Sequence, residues 1–420
     1  MGNARILRGS ITGVRIGGWL FITILLASCA RSTNPAQVVE AYLQAIADRD
    51  ADRLVTLSCK GWEASALLEY DALSQTQIGL RNVHCQSTGN LGTTVACTGS
   101  LLLHYGSEED EIPLDDRLYQ MERNGEDWVV CGMTRIPPTR IATPQQSATP
   151  IRTLTLTATA IHKATPTPIT GTTRPPTVKP APIPTRSAAE AWKTWPIIPI
   201  APASIREIYQ RGLALGNDPH AFSILGDCQS LPEVFLGVYA DPAAAPPELR
   251  DVVEWFGGSF DRASPTVKDG TTSGAVVWSG WHTGEFGCGE AETPLDCELR
   301  LHHPSIIFIN LGTHYETRNA DYLRKIIERL LEAGVIPILT TKADNREGDE
   351  RLNLETAYLA VEYGLPLWNF WAAVVDLPEG GLYTMKGREY QGPIYLTEEA
   401  QSRHRLTALQ VLDAIWRTVW

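Results

Sequence analysis

The chain has 420 residues, with 36 Lys plus Arg against 48 Asp plus Glu and a formal net charge of -12. Such a length exceeds one ordinary hydrophobic core, so two domains with connecting segments are expected. The negative balance offers no global positive field to gather polyanions, and nucleic acid is excluded as the expected partner.

At the N-terminus, Arg5, Arg8 and Arg15 precede the apolar run from Gly17 to Leu26, and Leu26-Ala27-Ser28-Cys29 closes the segment. The uncharged stretch is shorter than the roughly 18 to 20 residues that a spanning helix needs, although a transmembrane anchor is the alternative. The closing tetrapeptide resembles the bacterial lipobox. That resemblance implies a signal peptide over residues 1–28, a lipidated Cys29 as the membrane anchor, and an extracytoplasmic, cell-envelope location for everything that follows. Disulfides persist in such a compartment. Cys59, Cys85, Cys97 and Cys131 then allow two bridges in any of three connectivities. Cys288 and Cys297 flank a short loop containing Gly and Pro and are expected to pair, which leaves Cys228 over.

Residues 34–133 form the first domain. Asn34-Pro35-Ala36-Gln37 has the form of a helix start, with Asn as the cap and Pro at the first helical position. Val38, Val39, Tyr42, Leu43 and Ile46 continue at helical spacing. From about Val83 the pattern turns to strands, and Leu118–Arg123 and Asp127–Cys131 are joined through Asn124-Gly125, a strong hairpin turn signal. A helix followed by an antiparallel sheet ending in Gly-Glu-Asp-Trp-Val-Val resembles the NTF2-like (SnoaL-like) α+β cone. With no acid, base or metal cluster standing out, a structural or accessory role is expected.

Residues 137–187 carry repeated Thr-Pro steps, Pro175-Pro176 and Lys179-Pro180, with too little apolar periodicity for a core. No acidic residue occurs between Asp127 and Glu190, and the Thr content suits O-glycosylation. As an extended chain at about 3 Å per residue, this linker would hold the second domain up to roughly 150 Å from the anchor.

Residues 192–420 alternate buried-strand runs with helical stretches. Phe222–Leu225, Ala275–Trp278, Ile306–Leu311, Val335–Leu339 and Leu367–Phe370 are the expected strands. Tyr322 to Leu331, Leu352 to Leu359, and Leu406 to Trp416 mark helices. The alternation predicts a three-layer α/β/α domain on a parallel sheet, with any ligand at the carboxyl ends of the strands.

Directly after the first of these strands stands Gly226-Asp227-Cys228-Gln229-Ser230, and the Ile306 run ends in Gly312-Thr313-His314. These resemble the GDS and GTN blocks of the SGNH (GDSL-type) ester hydrolases over about 200 residues. Cys228 takes the place of the nucleophilic serine and His314 that of the oxyanion-hole asparagine. Phe260-Asp261-Arg262-Ala263-Ser264 with Gly270 corresponds to the block that supplies a second oxyanion donor. In the family's Asp-x-x-His block, Gly392 occupies the Asp place and Tyr395 the His place. A phenol is no neutral-pH base, so the inherited machinery is expected to be broken. Asp227 is expected to brace its turn.

Two functions follow from the resemblance. One is a non-catalytic module that holds an acylated glycan or other envelope polymer. The other is an ester hydrolase using Cys228 as nucleophile, with His314 as base. No cofactor is expected, and no metal, because spacings such as His-x-x-x-His are absent. His220, His302 and His303 read as exposed residues before strands, Lys342-Ala343-Asp344-Asn345 as an ordinary polar strand end, and Trp255, Phe256, Trp278 and Trp281 as core or sugar-stacking surface. The reach of His404 is left open.

Overall fold

The computed structural model of the protein describes residues 34–88, 93–105, 108–136, 186–282 and 284–420. Cys29 with its lipobox, and the Pro/Thr-rich segment as far as residue 185, lie outside the described residues. No helix among the described residues is long and apolar enough to cross a membrane.

The N-terminal part opens on helix Pro35–Ala47, whose cap Asn34 accepts a hydrogen bond from the Ala36 N–H at 3.0 Å. This helix buries Val39, Tyr42, Leu43 and Ile46, the stripe expected from its apolar spacing. Helices Ala51–Thr56 and Glu63–Ala72 follow. Then come β1 (Gln77–Thr88), β2 (Thr94–Tyr105), β3 (Glu108–Pro113), β4 (Arg117–Asn124) and β5 (Asp127–Arg135). They form one antiparallel sheet in the order β1-β2-β4-β5, with β3 on β2. The β4–β5 hairpin turns at Asn124-Gly125, where Gly125 has φ 68° and Asn124 pairs with Asp127. Disulfides Cys59–Cys131 and Cys85–Cys97 select one of the three connectivities. Within this core Glu69 and Arg117, 2% and 1% exposed, pair at 2.7 Å, and Tyr42 Oη donates to the same carboxylate at 3.2 Å.

The C-terminal part is built on β6 (Asp218–Gly226), β7 (Pro304–Asn310), β8 (Ile336–Thr340) and β9 (Leu367–Trp368), all parallel and neighbours in that order. Residues 221–226, 304–309 and 336–340 are continuously buried, as in a sheet covered on both faces. Helix Asn319–Glu332 packs with Arg351–Tyr363, and helix Ser204–Leu215 with Glu398–Val419, completing the α/β/α layers. Gly216 and Gly364 end two of these helices in the left-handed conformation.

The structure corrects the expected second strand. Ala275–Trp278 is not in the sheet: Thr272 caps the Ala275 N–H at 3.1 Å and Ser273–Val276 form a short helix. A short apolar run carries no period that separates strand from buried helix, and a side-chain cap decided it here. The β6 edge is instead touched by a single parallel bridge, Gly226 with Val267. Gly226 donates to Thr266 O at 3.0 Å and accepts from the Lys268 N–H at 3.3 Å. The last expected strand is also cut short, because Asn369 caps helix Phe370–Val374.

The two domains pack on each other. Trp278 and Trp281, 5% and 4% exposed, join the N-terminal domain's core rather than their own. Asp71 receives Arg318 at 2.7 Å and Tyr322 Oη at 2.8 Å. Arg135 reaches the Ser279 carbonyl at 3.2 Å, and Lys268 pairs with Asp110 at 2.6 Å.

Candidate active site

The site lies at the carboxyl ends of β6 and β7. Beyond Gly226 the chain turns sharply, with Asp227 Oδ1 accepting the Gln229 N–H at 3.0 Å. A Cβ on Gly226 would lie 2.0 Å from Ser230 Oγ, so this turn requires glycine. The turn presents Cys228, the one free thiol among the described residues. Beyond β7, Thr313 Oγ1 donates to Asp344 at 2.9 Å, and Lys342 Nζ donates to Asp344 at 2.7 Å. The polar end of β8 therefore fixes the loop that carries His314.

The bridge at Val267 leads straight to Asp269 and Gly270, the latter buried with φ 77°. Asp269 is the residue that sequence reasoning missed; the available signal was its position immediately before Gly270. The Cys228 thiol, an Asp269 carboxylate oxygen and a His314 ring nitrogen all lie within 4.8 Å of one another. His314 Nε2 stands 3.6 Å from Asp269 Oδ1. Arg388, also missed and carrying no signal in its loop, donates to Asp269 Oδ2 at 3.1 Å and to Tyr395 Oη at 3.1 Å. Tyr395 Oη in turn donates to Gln391.

The electrostatics follow from burial and crowding. Burial, followed by the Asp227 and Asp269 carboxylates, pushes the Cys228 thiol well up, and Arg388 opposes them only in part. Burial likewise lifts Asp227 to about 6. Burial would raise Asp269 as well, but His314 and Arg388 hold it down to about 2. Tyr395 is raised, chiefly by burial. His314 is only 3% exposed, and neither of its ring nitrogens has a hydrogen-bond partner.

Beside Cys228 opens a cleft of about 330 Å³ lined by Val234, Tyr383, Met385, Tyr395 and Leu396. Other candidates stand elsewhere. His404 is fully buried against Phe235, Trp368 and Phe370, its Nε2 is 3.2 Å from Asn310 Nδ2, and burial lowers it to about 3. It is a core histidine. His302 bridges Ser259 and the Phe222 carbonyl at 3.0 and 3.1 Å, and burial lowers it to about 4. His303 closes its helix in the left-handed conformation, and His220 stacks on Trp255 at 4.0 Å. Trp255 packs with Trp416 and Trp420, while Phe256 is core. Cys288 and Cys297 are joined by a disulfide.

No protein-family model matches the chain, and no curated protein does. Among solved structures, it is similar to a GDSL-like lipase from Bacteroides thetaiotaomicron, at 14% identity and a TM-score of 0.30, over 50% of this chain and 98% of that one. It is also similar to a putative acylhydrolase from Bacteroides fragilis, at 15% identity and a TM-score of 0.33, over 51% of this chain and 98% of that one.

Proposed function

We propose that the C-terminal domain is an SGNH-type hydrolase domain that has lost ester hydrolysis and holds the acyl group of an envelope ligand such as an acylated glycan. In this reading Cys29 tethers the chain to the membrane, and the NTF2-like N-terminal domain is an accessory body docked to the binding domain. The observation that carries it is the cleft beside Cys228. Its walls combine Val234, Tyr383, Met385 and Leu396 with the polar Gln229, Tyr395 and Gln401, and its size falls within the range of small-ligand sites.

The polar groups around the cleft are wired against hydrolysis. Acyl transfer needs a base on the nucleophile and a hydrogen-bond acceptor, such as a carboxylate, that orients the base. Here the Asp269 carboxylate stands close to both the thiol and the His314 ring, and together with burial and Asp227 it raises the thiol instead of helping to ionise it. Tyr395, at the family's histidine position, is committed to Arg388 and Gln391.

The second reading, a thiol hydrolase, is favoured by one observation: His314 lies within 4.8 Å of Cys228 with both ring nitrogens unpartnered. Two measurements separate the readings. Titration calorimetry with N-hexanoylglucosamine is expected to show saturable binding that Met385→Trp, by filling the cleft, removes. Hydrolysis of p-nitrophenyl acetate is expected to stay at background in wild type, Cys228→Ala and Cys228→Ser. Turnover in wild type abolished by Cys228→Ala would establish the hydrolase; absence of binding by wild type would overturn the binding reading.

A further inference from the structure

We infer that Cys228, Asp269 and His314 form a binding site for a zinc-like divalent metal ion. The inference rests on the same corner of the fold as the cleft but not on what the cleft holds. Three potential ligands of three types converge there from three separate stretches of chain, each fixed by its own element: the turn after β6, the segment after the Val267 bridge, and the loop after β7.

The spacing of Asp269 and His314 is that of two ligands around a common ion, and the Cys228 thiol lies within 4.8 Å of both. Bonds of about 2.0 to 2.3 Å at tetrahedral angles put two ligand atoms roughly 3.4 to 3.6 Å apart. The 3.6 Å between His314 Nε2 and Asp269 Oδ1 is too long for a hydrogen bond and matches that separation. The independent sign is His314 itself. An imidazole 3% exposed with no hydrogen bond on either nitrogen leaves two polar atoms unsatisfied, an unusual condition for a buried side chain, and a metal bond satisfies one of them.

The outer contacts fit the same role. Arg388 takes Asp269 Oδ2 and leaves Oδ1 toward His314, orienting the carboxylate as outer-shell partners do. A mixed thiolate, imidazole and carboxylate set selects a borderline ion such as zinc over magnesium or calcium, which prefer all-oxygen ligation. Binding replaces the thiol proton, which leaves to solvent: Cys228–SH plus the divalent ion gives the Cys228 thiolate–metal bond and one proton. Three protein ligands leave a fourth position open, and Cys228 also lines the cleft, so an oxygen of a cleft ligand is the class of group that completes the tetrahedron.

The test uses the full chain, stripped with a chelator and titrated with Co²⁺ and then Zn²⁺ in the absence of any acyl ligand. The expected result is one ion per chain, a sulfur-to-cobalt charge-transfer band, and loss of that band on adding Zn²⁺. Cys228→Ser is expected to abolish the band, and His314→Gln to weaken affinity by about 100-fold or more. Circular dichroism of both variants checks that they fold. A wild type without the band, or binding that persists unchanged in Cys228→Ser/His314→Gln, overturns the site. Because no acyl probe is present, either result stands whether or not the cleft binds N-hexanoylglucosamine.

Discussion

Trp278→Ala is expected to weaken the contact between the two domains. Trp278 leaves the short helix Ser273–Val276 and buries its ring in the N-terminal domain's core, 5% exposed, with the Arg117 guanidinium 5.8 Å above it. A Trp side chain buries about 150 to 250 Å², which at about 25 cal/mol per Å² corresponds to roughly 4 to 6 kcal/mol. Measured Trp→Ala costs of about 3 to 5 kcal/mol agree. The site lies between the domains, so the loss falls on docking as well as on the N-terminal core. Each 1.4 kcal/mol of that loss that falls on docking raises the undocked population about tenfold, and the full 4 kcal/mol sets an upper bound of about three orders of magnitude. Differential scanning calorimetry is expected to split one cooperative transition into two, and small-angle X-ray scattering to report a larger radius of gyration. A single transition with the wild-type midpoint and an unchanged radius would refute the claim that this ring joins the domains.

Acid is expected to destabilise the C-terminal domain through the fully buried His404 and the half-buried His302, neutral in the fold with values of about 3 and about 4 against an unfolded value near 6.5. Between these limits the unfolded chain binds the proton and the folded chain does not, so stability is full above about pH 6.5 and falls as pH drops toward 3. His404 accounts for on the order of 4 kcal/mol of that loss, and urea midpoints of wild type and His404→Phe from pH 7 to 4 measure it; equal slopes for the two proteins would sink the assignment. Removing the Cys59–Cys131 bridge, which closes a loop of sequence separation 72, is expected to cost about 4 kcal/mol. Urea unfolding of Cys59→Ala/Cys131→Ala reads it, and a midpoint equal to wild type would contradict it.

Much of the local structure was legible in the sequence because its causes are local. Asn34 and Pro35 begin a helix through one cap and one fixed φ, Asn124-Gly125 turns a hairpin because glycine accepts the left-handed region, and continuous apolar runs such as Ile306–Ile309 become buried parallel strands. The turn after Gly226 and the loop carrying His314 were placed by the same logic, since strand ends of a parallel sheet share one edge. The sequence alone could not distinguish Ala275–Trp278 as strand from helix, because a run that short has no period. It also could not show Asp269 and Arg388 beside Cys228 or Trp278 inside the other domain. Those neighbours depend on how distant segments close on one another, through the Val267 bridge, the loop before the last helix and the domain interface. Such contacts are set by packing and by hydrogen bonds across the fold, which leave no spacing in the chain to read.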